Sequence, residues 1–202
     1  MTEAELNARH TEKMKKVQAA RARMMASKTV ERGLVIVHTG TGKGKTTAAL
    51  GMVCRMIGHG MKVSIIQFIK GAMETGEQNL FDVFPDLVEM RPMGEGFTWD
   101  TQDRTRDIAK VREAWEAAKA RIMDPDWKMV VCDELNIALR YDYLPVEEVL
   151  AVLAARPADT HVVITGRNAP PELIEAADLV TDMQMLKHPF RSGVKAQAGV
   201  EF

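Results

Sequence analysis

The chain has 202 residues, 46% hydrophobic and 27% charged, enough for one domain with a sizeable core, and no apolar run approaches the roughly 18–20 residues of a membrane span. Its formal net charge of −1 excludes a global attraction to nucleic acid or an anionic bilayer, so recognition of phosphate has to be local. Cys54 and Cys132 lie far apart without CxxC spacing, which argues against a disulfide framework or zinc site; both fall in apolar stretches and are expected to fill core volume.

Residues 1–32 are rich in Lys, Arg, Ala and Met and read as a helical arm, with a weak stripe through His10, Met14, Val17, Arg21 and Met24. The arm is either a solvated or partly ordered tail, or a basic surface for phosphate or a partner subunit. The polar N-terminus lacks the apolar segment of a secretory signal, so a cytoplasmic protein is expected. Residues 33–202 alternate strand and helix. The pattern predicts strands at Leu34–His38, Lys62–Phe68, near Leu87–Met90, Met129–Asp133, His161–Thr165 and Leu179–Met185. Helices are predicted at Lys45–Ile57, Thr101–Met123, Val146–Ala155 and Pro171–Ala176. Near-continuous apolar strands between helices imply an α/β fold with a mostly parallel sheet covered on both faces, whose ligands bind at the carboxyl ends of the strands.

The strongest motif is Gly40-Thr41-Gly42-Lys43-Gly44-Lys45-Thr46-Thr47, between the run Leu34–Val37 and a helix-forming stretch. A strand, a glycine-rich turn and a helix form a phosphate-binding loop: glycines let successive N–H groups converge on phosphate oxygens, and the helix adds its free N–H groups and positive dipole end. Lys45 can place its ammonium on the phosphates, and the Thr46 hydroxyl is suited to Mg²⁺. One feature departs from Gly-x-x-x-x-Gly-Lys-[Ser/Thr]. Thr39 stands where the first glycine belongs, Gly40 comes one residue late, and an extra lysine, Lys43, lies inside the loop.

Met129-Val130-Val131-Cys132-Asp133-Glu134 is an apolar strand ending in two carboxylates, the place for a Mg²⁺-binding acid on such a fold, although an Asp-Glu pair can also start a helix. In Gly94-Glu95-Gly96-Phe97-Thr98-Trp99-Asp100, an extended backbone puts the Phe97 and Trp99 rings on one side, for a flat ligand, a pocket plug or a core contact. Ile164-Thr165-Gly166-Arg167 carries an arginine past a strand tip, facing either the nucleotide edge or a surface ion pair. Five histidines lie scattered without ligand spacing.

Gly40 through Ala49, Val63-Ser64-Ile65-Ile66-Gln67-Phe68-Ile69-Lys70-Gly71, Gly96-Phe97-Thr98-Trp99, Asp133-Glu134-Leu135, Tyr141-Asp142-Tyr143-Leu144-Pro145 and Lys187-His188-Pro189-Phe190 with Gly193-Val194-Lys195-Ala196-Gln197 together resemble the phosphate-loop ATP:corrinoid adenosyltransferases, which make the adenosyl form of vitamin B12. The resemblance runs from about Gly33 to Phe202, and the shifted glycine belongs to the family pattern. It implies a phosphate-loop NTPase-like, RecA-like fold acting on ATP and a reduced corrinoid. It assigns Gly40, Thr41, Gly42, Lys43, Gly44, Lys45, Thr46 and Thr47 to the phosphates, and Thr46 with Glu134 to Mg²⁺ (or Mn²⁺). Asp133 joins the metal set on chemistry. The implied catalytic residues are Lys45, Phe97 and Trp99, the two rings forming a wedge against the lower axial face of the corrinoid. A homodimer, an N-terminal helix covering the neighbouring site and a flavoprotein reductant are further implications. Two rivals are an ATPase or small-molecule kinase, which would release phosphate or ADP, and a nucleotide-switched binding module, which would leave ATP unchanged.

Overall fold

In a computed structural model the described residues are 1–69, 75–94 and 103–200, which fall into two compact units, Met1–Glu31 and Arg32–Phe202. The first is one helix, α1 (Glu3–Ala26), with no buried residue. Its start is secured by a reciprocal capping box: the Thr2 hydroxyl accepts from Glu5 N, and Thr2 N donates to Glu5 Oε2 at 2.8 Å.

The second unit is built on six parallel strands: β1 (Val35–Thr39), β2 (Val63–Gln67), β3 (Val88–Pro92), β4 (Met129–Asp133), β5 (His161–Thr165) and β6 (Leu179–Asp182). They are ordered β3-β2-β4-β5-β1-β6. The helices are α2 (Lys45–Gly58), α3 (Gly76–Phe81), α4 (Arg104–Ile122), α5 (Leu135–Arg140), α6 (Val146–Ala155) and α7 (Pro171–Ala176), followed by a 3₁₀ turn at Pro189–Ser192.

Alternation along each strand sends side chains to two cores. Val35 and Val37 of β1 join Val130, Cys132, Val162 and Ile164 under α4, α5 and α6, around Trp115 and Leu135. Ile36 joins Val63, Ile65, Val131 and Val163 under Ala49, Leu50 and Val53 of α2 and Phe81 of α3. Trp115, at 0% exposure, donates its ring N–H to Glu148 Oε1 at 2.9 Å, so the largest core side chain leaves no polar atom unsatisfied.

Most predicted elements fall where the pattern put them; three features differ. Strand β6 stops at Asp182 rather than Met185 because its neighbour β1 ends at Thr39, after which the chain pairs with the glycine loop, Gly42 N donating to Met183 O at 2.6 Å. Helices α3 and α5 have six residues each, too short for a periodic signal. Cys54 is exposed on α2 rather than part of the core, whereas Cys132 is buried and burial pushes its thiol up to about 12. Residues 101 and 102 of the predicted helix Thr101–Met123 lie outside the described residues.

A titrating contact lies at the start of β5. Leu34 N donates to His161 Nδ1 at 3.1 Å, which requires a neutral acceptor. Burial, then the charge of Arg156, holds the His161 imidazole below its ordinary 6.5, with Asp159 opposing. As pH falls the unfolded chain therefore takes up this proton first. The stability tied to His161 is complete above 6.5 and is lost as pH drops from there through the lower folded value. We expect the thermal midpoint to fall as pH drops below 6.5, and His161→Asn, which keeps an acceptor without the titration, to flatten that fall. An unchanged slope in the variant would remove His161 from the acid response.

Candidate active site

The glycine loop joins β1 to α2 at the carboxyl edge of the sheet. Gly40 and Gly44 have φ of 97° and 101°, left-handed backbone that side chains rarely adopt. At Gly40 a Cβ would also run into Asp182 Oδ1 and come within 2.5 Å of Met183 O; at Gly42 it would lie 2.7 Å from Met183 O. Thr39, by contrast, is the last residue of β1, buried, and its Oγ1 accepts from Ala169 N at 3.1 Å. The late glycine is thereby explained: the strand runs one residue further than the common pattern assumes, and the close approach falls on Gly40.

Lys45 opens α2 and folds back over the loop, its Nζ donating to Gly40 O at 3.0 Å and to Gly42 O. Burial first, then the nearby charge of Arg167, lowers its affinity for the proton; Glu134, Asp133 and Asp182 act the other way. A half-buried ammonium held on carbonyls, among charges of both signs, is poised to exchange those carbonyls for phosphate oxygens. Thr41, Lys43 and Thr47 are exposed, on the loop and the first turn of α2.

Asp133 ends β4 at 1% exposure and is the hub of the site. Its Oδ1 accepts from Thr46 Oγ1 at 2.8 Å and Thr165 Oγ1 at 2.7 Å, and its Oδ2 accepts from Gln67 Nε2 at 3.0 Å. The sheet register produces this convergence. Gln67 stands beside Asp133, and Thr165 beside His38, one step beyond the Cys132–Ile164 pair. Four strand tips thus present polar side chains in one row below the loop. His38 closes the row at 6% exposure; among the described residues neither ring nitrogen has a hydrogen-bond partner, and burial keeps the imidazole below its ordinary pKa.

The backbone turns sharply after this strand. Glu134 has φ of 63° and caps α5, its N–H donating to Thr165 Oγ1 at 2.9 Å. A left-handed glutamate is locally unfavourable, by about 1–2 kcal/mol, and such residues gather at functional sites. The helix-start reading of Asp133-Glu134 is realised by Glu134, while Asp133 sits buried among the polar strand tips. Phe97 and Trp99 lie outside the described residues.

Sequence reasoning located the loop and the acid but not Gln67 and Thr165 as parts of the site. Their signal was present: each is the polar fifth and last residue of its strand, the position Asp133 holds in β4.

The profile of the family described as ATP:corrinoid adenosyltransferase BtuR/CobO/CobP matches residues 31–202. The chain belongs to that family. It is similar to a corrinoid adenosyltransferase of Sinorhizobium sp, 58% identical over 97% of this chain and 92% of that protein. It is 54% identical to one of Pseudomonas aeruginosa, covering 98% of both chains, and 45% identical to one of Escherichia coli K12, covering 96% of this chain and 98% of that one. Among solved structures, a KaiC-like protein of Pyrococcus horikoshii OT3 aligns over 77% of this chain and 75% of its own, with a TM-score of 0.45 and 17% identity.

The family's use of a nucleotide makes a divalent cation the implied companion, and the donors fit one. They are oxygens from Thr46, Asp133 and Glu134, the hard ligands that Mg²⁺ takes, and among the described residues no group of three or more His, Cys, Asp or Glu side chains forms an all-protein cage. Thr46 Oγ1 gives its proton to Asp133, which leaves its lone pairs available as ligands. Asp133, already accepting three hydrogen bonds, is better suited to orienting that hydroxyl than to binding metal itself.

Proposed function

We propose that this protein transfers the 5′-deoxyadenosyl group of ATP to the cobalt(I) of a reduced corrinoid and releases triphosphate, in the making or salvage of adenosylcobalamin. The observation that carries the reading is the phosphate loop with its shifted glycine, seated on Met183 and backed by Asp133, in a chain 58% identical to a corrinoid adenosyltransferase. Cobalt(I) donates an electron pair to C5′, the C5′–O bond breaks, and its pair leaves on the triphosphate, so cobalt ends formally as cobalt(III). The substrate is itself the nucleophile, which leaves the protein to bind, orient and stabilise charge.

The leaving group carries several negative charges, and the loop meets them with N–H groups at the start of α2, the ammonium of Lys45 and the side chain of Lys43. Thr46 and Glu134 would hold Mg²⁺ (Mn²⁺ as a substitute), with Asp133 orienting Thr46. When bound, the cation would spread the charge that develops on the triphosphate. Phe97 and Trp99 keep the role that the resemblance gives them, excluding the lower axial base so that cobalt(II) becomes easier to reduce. A homodimer in which α1 covers the partner's site, a flavoprotein electron donor and a cytoplasmic location complete the reading. Among the described residues no helix is long and apolar enough to cross a membrane.

The test is an anaerobic assay with chemically reduced cobalamin, ATP and Mg²⁺, following the cobalt spectrum and the phosphate product together. The expected result is a light-sensitive adenosylcorrinoid with stoichiometric triphosphate. Free phosphate or ADP without a spectral change would make the protein an ATPase or kinase.

A further inference from the structure

Strand β5 lies between β1, which leads into the phosphate loop, and β4, which ends in Asp133. The turn that leaves β5 is therefore placed at the centre of the site. It is Gly166-Arg167-Asn168-Ala169, and it is tied down on both sides of its arginine. Gly166 N donates to His38 O at 3.2 Å and Gly166 O accepts from Asn136 Nδ2 at 3.0 Å; beyond the arginine, Ala169 N donates to Thr39 Oγ1 at 3.1 Å. His38 and Thr39 are the last two residues of β1, so Arg167 is suspended from the root of the phosphate loop. Gly166 and Asn168 both have positive φ, 126° and 55°, and a Cβ at position 166 would come within 2.9 Å of Asn136 Cβ. A turn held in this backbone by three hydrogen bonds is a fixed mount rather than a slack connection.

The side chain on this mount is uncommitted. Arg167 is exposed, and among the described residues no hydrogen bond or ion pair engages it. Its turn hangs from His38 and Thr39, which lead directly into the loop that ends at Lys45. Two cations kept within reach of each other repel, and an anion between them turns that repulsion into attraction for both. Guanidinium suits the task, because its planar fork bonds phosphate oxygens in pairs.

Building on the adenosyl-transfer reading, we propose that Arg167 is a triphosphate-binding residue that closes on the leaving group opposite Lys45. It would grip the phosphates in the ground state and more strongly once the C5′–O bond breaks and an additional negative charge arrives on the triphosphate. Its contribution should therefore appear in both KM for ATP and kcat, with KM for the corrinoid unchanged.

The experiment titrates full-length wild type, Arg167→Gln and Arg167→Lys with inorganic tripolyphosphate in the presence of Mg²⁺ by calorimetry, with adenosine as the phosphate-free control. We expect Arg167→Gln to weaken tripolyphosphate by about 10- to 100-fold, the value of charge-assisted hydrogen bonds, and Arg167→Lys to recover part of that loss. Adenosine binding and the thermal midpoint should stay at wild-type values, since the side chain is exposed. Equal tripolyphosphate affinity in all three proteins would overturn the contact and leave adenosyl transfer standing. A parallel loss of adenosine affinity would overturn it too, by showing a merely structural role. Wild-type protein that binds tripolyphosphate through Arg167 yet forms no adenosylcorrinoid would overturn the reaction reading instead.

Discussion

Lys45→Ala is expected to lower kcat/KM for ATP by about 100- to 1,000-fold, the loss that follows removal of one preorganised charge-stabilising donor. The ammonium is already at its post, held by Gly40 O and Gly42 O, so little reorganisation is needed when phosphate arrives. Its half-buried surroundings make each contact with an anion worth more than it would be in water. The loop should survive the substitution, because Gly40 and Gly42 are packed against Met183 and the bond from Gly42 N to Met183 O does not involve Lys45. Steady-state kinetics beside a thermal melt separate the two effects: activity collapses while the midpoint moves little. Near-normal turnover would mean that the triphosphate is not held by this loop.

The fold was legible where burial made the pattern simple. Strands β4 and β5 match their predicted bounds because both faces of each are covered, leaving unbroken apolar runs that end at a polar residue, Asp133 or Thr165. Helices α6 and α7 were legible from their boundaries, each entered through a proline at its cap. Helix α5 was not, because six residues hold no period and its first turn is set by the left-handed Glu134, a conformation no composition announces. Cys54 misled because apolar neighbours on a helix do not say which side faces out.

The site divides in the same way. Its loop and its acid are local words, readable in order along the chain. Its support is not local: Gln67 reaches Asp133 across 66 positions, and Thr46 across 87. Those contacts exist only because the register aligns the strand tips, and register is a property of the assembled sheet. Arg167 was readable as a residue at the right edge. What the sequence left open, nucleotide edge or surface ion pair, narrows once the turn is seen pinned to His38 and Thr39 with no ion pair among the described residues.

Asp133 should prove to be a structural hub as well as a support for the metal site, and Asp133→Ala is expected to lose at least about 3 kcal/mol of folding stability together with activity. The carboxylate accepts from Thr46, Thr165 and Gln67 at 1% exposure, so its removal strands three donors with little access to water, each at about 1–3 kcal/mol. Thr165 also accepts from Glu134 N, so the loss should spread to the left-handed turn that begins α5. Thr46→Val is the contrasting variant. It removes one donor to Asp133 and the hydroxyl proposed to hold the metal, and should reduce activity while costing about 1 kcal/mol of stability. Denaturant unfolding beside the adenosylation assay distinguishes the roles. If Asp133→Ala unfolds at the wild-type midpoint, the row of polar strand tips is not a bonded network. If it unfolds early while Thr46→Val folds normally and is inactive, Asp133 supports the fold and aims Thr46, and the hydroxyl meets the nucleotide's metal.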